Sequence, residues 1–315
     1  MSLLAPEALA LDSLDIYYHS AYLRSVAVGG EVLVLVRDDL ILPLVVKSIP
    51  GTDLRDAESP YGYAAPLPRG TVDWEGVRSE LANAGIVNAF LRSHPLQQWI
   101  DLPEIFSSST AVIPLSEGRA AAFAGGRCST HRSQVNRARA LGFTVTLEIA
   151  PHDLTSFRAL YKRTMDRLAA TSFYHFPEAC WTALTDLRDR LALVTVSDIA
   201  GTIQNQALFL RGPQFAHYHL SARADEAHNA AGNLLFEAAA DWACAHGCIA
   251  LHLGGGITGK ADDGLLKYKM RIGRQDAVFR TAGLICRSAD HAALISVWQA
   301  HTGGTPRWFQ AYRQP

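Results

Sequence analysis

The sequence predicts a mixed α/β protein built from two related halves, and three patterns carry that expectation. A hairpin reads from Val32-Leu33-Val34-Leu35-Val36 through the turn Arg37-Asp38-Asp39 into Leu40-Ile41-Leu42-Pro43-Leu44-Val45-Val46, two apolar runs around a polar turn. The same layout recurs with strands at 191–196 and 202–210 around a turn at 197–201, and each hairpin follows a segment of helical character, residues 14–25 and 154–190. In the second half a strand at 214–220, a helix at 232–246 and a short strand at 249–253 form a βαβ-like unit, in which ligands meet free backbone amides at the helix start.

Each element has a local reason. In the strand at 214–220, Phe215, His217 and His219 share one face by period-two alternation. In the helix at 232–246, Leu235, Ala238, Ala239 and Trp242 line one stripe, and Gly247 follows as a stop. The joint between the halves is expected at Gly125-Gly126, giving domains 1–126 and 127–315, with Ser129 and Thr130 as capping hydroxyls of the next helix.

Composition bounds the function. At 315 residues the chain suits two domains, and its 49% hydrophobic and 19% charged content is that of an ordinary globular protein. A formal net charge of -1 excludes a global nucleic-acid footprint, so a polyanion must be met by a local patch. The start lacks a cationic leader, and nowhere do about 18 apolar residues run together, so a cytoplasmic protein without a membrane span is expected. The five cysteines form no CxxC pair, which suits a reduced compartment; Cys244 and Cys248 read as two small buried hydrophobes.

Lysine placement gives the first chemical signal. Only five of the 29 basic residues are lysine, and three of these, Lys260, Lys267 and Lys269, fall within residues 254–273, after the triplet Gly254-Gly255-Gly256. A lysine is a compact point charge that loses its proton when desolvated, so a site that aims one donor at one developing charge selects it over arginine. Lys269 is the first candidate. Arg127, His131, Arg132, Arg137 and Arg139 gather near one helix, with Arg132, Asn136 and Arg139 on a single face, where a phosphate backbone would fit. His217 and His219 are a candidate proton acceptor and acceptor-binding pair near neutral pH; without a third ligand of convincing spacing, no metal is expected.

Four segments, in order and spacing, resemble the Fem-type (FemABX) branch of the GNAT-like acyltransferases: His217-Tyr218-His219-Leu220-Ser221-Ala222, residues 229–238, the strand ending Leu251-His252-Leu253-Gly254-Gly255-Gly256, and residues 264–273. Ser59-Pro60-Tyr61-Gly62-Tyr63 and residues 131–139 are similar to that family's first-domain loop and basic helix. The resemblance implies two tandem GNAT-like domains with mixed, mostly antiparallel sheets flanked by helices. It also implies amide formation with an amino acid taken from aminoacyl-tRNA, without a bound cofactor. The helical hairpin that some cell-wall members insert is missing from residues 131–280, which favours a small-molecule or peptide amine over a lipid-linked acceptor.

On the resemblance, Tyr268-Lys269 matches the family's aromatic-lysine pair, so Lys269 would steady the oxyanion or the leaving ribose oxygen while Tyr268 packs on the donor's terminus. With His219 these are the expected catalytic residues. Asn229, Gly232, Asn233, Lys267, Arg271, Arg132 and Arg139 are the expected donor-binding set, and Tyr61, Tyr63, His217 and Asn205 the acceptor-binding set. Acetyl-CoA-dependent relatives carry a glycine-rich loop that wraps pyrophosphate, whereas Asn229-Ala230-Ala231-Gly232-Asn233-Leu234 keeps only its central glycine. An acyl-CoA donor is the rival reading, and a Fem-like binding protein without catalysis the second rival.

Overall fold

The structure is a computed structural model that describes residues 3–97, 100–260 and 262–314. In chain order the first elements are β1 (Leu3–Leu4), α1 (Ser20–Ser25), β2 (Glu31–Val36), β3 (Leu40–Ser48), β4 (Arg55–Glu58), β5 (Leu67–Pro68), α2 (Trp74–Asn83), β6 (Ile86–Arg92) and β7 (Glu104–Pro114). There follow α3 (Arg119–Ala122), α4 (Ser129–Ala140), β8 (Thr144–Ile149), α5 (Thr155–Arg167), α6 (Glu178–Thr185), β9 (Leu191–Ser197), β10 (Ile203–Arg211) and β11 (Phe215–Arg223). The last are α7 (Asn233–Ala245), β12 (Ala250–Gly254), α8 (Gly264–Met270), β13 (Gln275–Ile285) and α9 (Ser288–Thr302). Both expected hairpins form, as β2–β3 and β9–β10.

The chain divides into two compact units. One holds residues 1–10, 26–107 and 279–315, and the other 11–25 and 108–278. The break expected after residue 126 falls inside the second unit, between α3 and α4, because Gly125, with φ +85°, makes a local turn there and the chain passes between units within β7 and β13. Residues 14–25, expected to lead the first half, also belong to the second unit, where α1 packs on α6 and Arg24 pairs with Asp186 at 3.2 Å.

The two units repeat one strand plan. In the first, β2, β3 and β4 pair antiparallel in succession, α2 crosses over, β6 returns parallel to β4, and β13 closes antiparallel on β6. In the second, β9, β10 and β11 pair in the same way, α7 crosses over, β12 returns parallel to β11, and β7 closes antiparallel on β12. Each sheet is therefore mixed and mostly antiparallel, as expected, and each parallel pair has the helical crossover it needs.

Packing follows the sequence. Asp73 caps α2 by accepting from Gly76 N at 3.0 Å, and α2 buries Val77 and Leu81 on Leu42, Leu44 and Leu284. Across the second sheet, Ala207, Phe209, Ala216 and Leu251 meet Leu234, Leu235, Phe236, Ala239 and Trp242 of α7, and each large side chain so buried contributes about 1.5–3 kcal/mol. The expected stripe is widened: Ala240 and Ala243 are buried too, while Ala238 is half-buried. The expected hydroxyl cap of α4 is replaced, since Cys128 is its N-cap residue without a side-chain capping bond, its thiol donating instead to Ile272 O at 3.2 Å.

Candidate active site

The lysine-bearing segment lies in the second unit, around α8. Asp263 caps α8, accepting from Leu266 N at 2.9 Å, and its other oxygen accepts from Ile257 N at 2.8 Å, Thr258 N at 2.8 Å and Thr258 Oγ1 at 3.0 Å. A Cβ on Gly256 would lie 2.4 Å from the Asp263 carboxyl carbon, so only glycine admits this carboxylate. The loop thus held presents Gly255 O, which accepts from Lys269 Nζ at 2.8 Å. Ala261 of this segment lies outside the described residues.

Lys269 is 8% exposed, and its ammonium lies 5.5 Å from the centre of the Tyr218 ring. Burial pulls its pKa down to about 8, against the opposing pull of the Asp263 carboxylate. Tyr268 precedes it, its ring 6.3 Å from Phe236 of α7, and burial raises its phenol. A Cβ built on Gly232 would lie 3.4 Å from Tyr268 Oη and 3.6 Å from Asn205 Nδ2. Tyr268, Gly232 and Asn205 therefore come together through α7 and α8, the next residue of α8, Lys269, turns to Gly255 O and the Tyr218 ring, and Lys267 and Arg271 are exposed.

The histidines do not join this group. The register of β10 on β11 shifts between Leu208 and Phe209 and leaves His219 as the extra residue of a bulge. Tyr218 turns toward Phe236, 5.1 Å between ring centres, whereas His217 meets Tyr17 at 4.6 Å and His219 meets Tyr22 at 5.7 Å on the opposite face of the sheet. His217 is fully buried and pairs with Asp15 at 3.2 Å. Burial, helped by His217, lowers the His219 pKa to about 3, which makes it a feeble base at neutral pH. Tyr61 and Tyr63 belong to the first unit, where Tyr63 packs on His94 and Phe279.

The remaining donor-set residues lie at either end of the α7 approach. Asn229 accepts from Arg223 of β11 at 2.8 Å, and Asn233 bonds His131 of α4 at 3.0 Å, so both side chains tie this segment to neighbouring elements. Arg132 and Arg139 line a cavity of about 550 Å³ with Arg119, Phe123, Asn136 and Glu237. Glu237 takes up Arg119 and, at 3.2 Å, Arg139, while Arg132 Nη1 donates to Phe123 O and Gly125 O, each at 2.7 Å. Sequence reasoning missed Asp263 and Tyr218. An aspartate just before Gly264-Leu265-Leu266 is a helix-cap signature that marks the first, and alternation with His217 and His219 sets Tyr218 on the face toward Phe236.

Three comparisons bear on this arrangement. Residues 126–270 match the model of the acetyltransferase (GNAT) domain. That match lies within the second unit. Its β11–α7–β12 crossover is the part of the GNAT domain that holds Gly232, and α8 the part that holds Lys269. The chain has the fold of FemX at TM-score 0.59 and 14% identity, over 87% of this chain and 93% of that one. It is similar to the C-terminal domain of a putative lysylphosphatidylglycerol synthetase from Agrobacterium fabrum at TM-score 0.59 and 12% identity, over 94% and 95%. It is similar to L-PGS from Bacillus licheniformis at TM-score 0.54 and 12% identity, over 84% and 86%. At these identities the likeness is one of fold, and the GNAT plan is repeated in tandem. No curated protein matches the chain by sequence. Among the described residues no helix is long and apolar enough to cross a membrane.

Proposed function

We propose that the protein transfers an amino acid from aminoacyl-tRNA to the amine of a small molecule or peptide, forming an amide in the cytoplasm. The observation that carries this reading is Lys269, a desolvated lysine of α8 held by a glycine-loop carbonyl. The amine nitrogen's lone pair attacks the acyl carbon, and the carbonyl π pair moves to oxygen. Collapse expels the ribose oxygen, which takes a proton from the Lys269 ammonium; the proton shed by the amine restores that ammonium, so amide and free hydroxyl balance. Tyr268 packs on the donor's terminus.

Two features support the tRNA donor. The loop at 229–234 commits both asparagine side chains internally instead of opening a pyrophosphate cradle, and the fold is shared with a protein whose name states an aminoacylated lipid product. Incubation with a charged tRNA pool and a cellular amine extract should yield new amides by mass, and ribonuclease should abolish them while added acetyl-CoA changes nothing. Robust turnover of coenzyme A thioesters with none of charged tRNA would replace this reading with the acyl-CoA one, which the acetyltransferase description of the matched domain favours. Binding of charged tRNA without turnover of either donor would make the protein a Fem-like binding protein.

The cavity beside α4 is the local patch that a near-neutral chain needs, and in this reading it takes donor phosphate. Arg132→Ala and Arg139→Ala should each weaken tRNA binding and lower the slope of log affinity against log salt by about 0.7–0.9 per lost phosphate contact. An unchanged slope in a titration from low to moderate salt would leave α4 as a solvated face.

A further inference from the structure

We propose that Asn205 contacts the reacting centre itself, its Nδ2 donating to the acyl oxygen and its Oδ1 accepting from the attacking amine. This rests on the acyl-transfer reading above, though not on which carrier brings the acyl group. Asn205 lies on β10 and is 8% exposed, yet neither arm of its amide has a hydrogen-bond partner among the described residues, and Oδ1 is wholly buried. Buried amide oxygens are nearly always paired, so this one is matched to a group that arrives with the substrate.

The surroundings say which group. Asn205 Nδ2 and Tyr268 Oη flank the bare α-carbon of Gly232. Gly232 has φ −59°, an ordinary helical value, so the backbone does not demand glycine there. What glycine provides is room, since any side chain would enter the space between the hydroxyl and the amide. That space opens at the first turn of α7, whose partly positive end favours developing negative charge and disfavours a fixed cation.

The chemistry of amide formation fits a carboxamide partner. In the tetrahedral adduct one carbon carries an oxyanion and a nitrogen with its hydrogen. A planar amide offers a donor and an acceptor side by side, so it meets both atoms of the adduct at once. The ester substrate has only the oxygen, and the extended amide product turns its N–H away from its carbonyl. The paired contact is thus complete only between them, which is where binding accelerates a reaction. When the adduct collapses, the electron pair on oxygen re-forms the carbonyl, the carbon–oxygen bond to the carrier breaks, and the amine proton leaves through the Lys269 route.

The test uses two variants that no structural role would group together. Asn205→Leu keeps the volume and removes both arms without breaking a protein hydrogen bond, so Tm should hold or rise. Gly232→Ala fills the space at an unstrained φ, and because Gly232 is the N-cap of α7, where alanine is the poorer residue, Tm should hold or fall only slightly. With the donor that the wild type uses, single-turnover rates should fall about 100-fold in each, with donor Kd within about threefold of wild type. Rates within threefold of wild type, or a fall in Tm that accounts for the lost activity, would overturn the proposal while leaving acyl transfer standing. A folded wild type that transfers from no donor would instead remove the acyl-transfer reading, and this one with it.

Discussion

Lys269→Met should cut turnover by roughly 100-fold or more and leave donor affinity nearly intact, because the ammonium meets charge that develops only as the ribose oxygen leaves. Lys269→Arg should rescue poorly: the side chain sits 8% exposed between Gly255 O and the Tyr218 ring, and a planar fork has no room to replace a point donor there. Lys267→Ala is the local comparison: Lys267 is exposed on the same helix and is expected to bind donor, so its loss should weaken donor affinity more than turnover at saturating donor. The pH profile carries a second signature. With a pKa of about 8, the ammonium is the major form at pH 7, and turnover should fall as pH rises through about 8. Stability runs the other way. The folded pKa lies below the ordinary lysine value of 10.5, so between about 8 and 10.5 the unfolded chain binds more protons, and wild type should gain stability relative to Lys269→Met as pH climbs. Normal turnover in a folded Lys269→Met protein would make the lysine structural and move the chemistry to other residues around Gly232.

How much of this was legible in the sequence depends on whether the signal is local. The hairpins β2–β3 and β9–β10 follow from apolar runs around polar turns, and α7 with β12 from periodicity and a stop at Gly247, all within short windows. The unit boundaries were not legible. A strand that continues from one unit into the other leaves no break in its apolar pattern, while the paired glycines at 125 and 126 look like a linker and make only a turn. Nor does sequence proximity show that residues 11–25 pack with a unit whose main body begins at residue 108.

The same distinction divides the site residues. Tyr268 and Lys269 were found by rarity and resemblance, and Gly232 by its loop; these lie where their neighbours in sequence place them. His217 and His219 were read from alternation alone, which gives a shared face without saying which layer covers it. The covering layer is Tyr17 and Tyr22, some 200 residues upstream, and it buries His217 fully and His219 in part. Asn205, expected with Tyr61 and Tyr63 among the acceptor residues, lies beside Gly232 of the loop before α7. The tyrosines remain with the first unit.

Asp263→Ala should be the most disruptive change outside the reacting groups, because one carboxylate ties the glycine loop to α8 and so fixes the carbonyl that holds Lys269. It removes an N-cap and three further bonds to Ile257 and Thr258 around a buried carboxylate, a loss of about 2–4 kcal/mol. Thermal or urea unfolding reads the stability term, and turnover per folded molecule should fall at least about tenfold as Gly255 O loses its place. Asp263→Asn should keep the cap and lose the charge-assisted part, giving a smaller stability loss with the pH profile shifted downward, since the neighbouring carboxylate supports the Lys269 ammonium. The backbone donors from Leu266 and Thr258 hold the Asp263 pKa well below the carboxylate range. Its stabilising contribution is therefore present above the unfolded value near 4 and is lost as pH falls below it, so wild type and Asp263→Asn should converge in stability on acidification. Equal unfolding curves at pH 7 for wild type and Asp263→Ala would mean that the loop holds its shape without the carboxylate, and the placement of Lys269 would then rest on the α8 backbone alone.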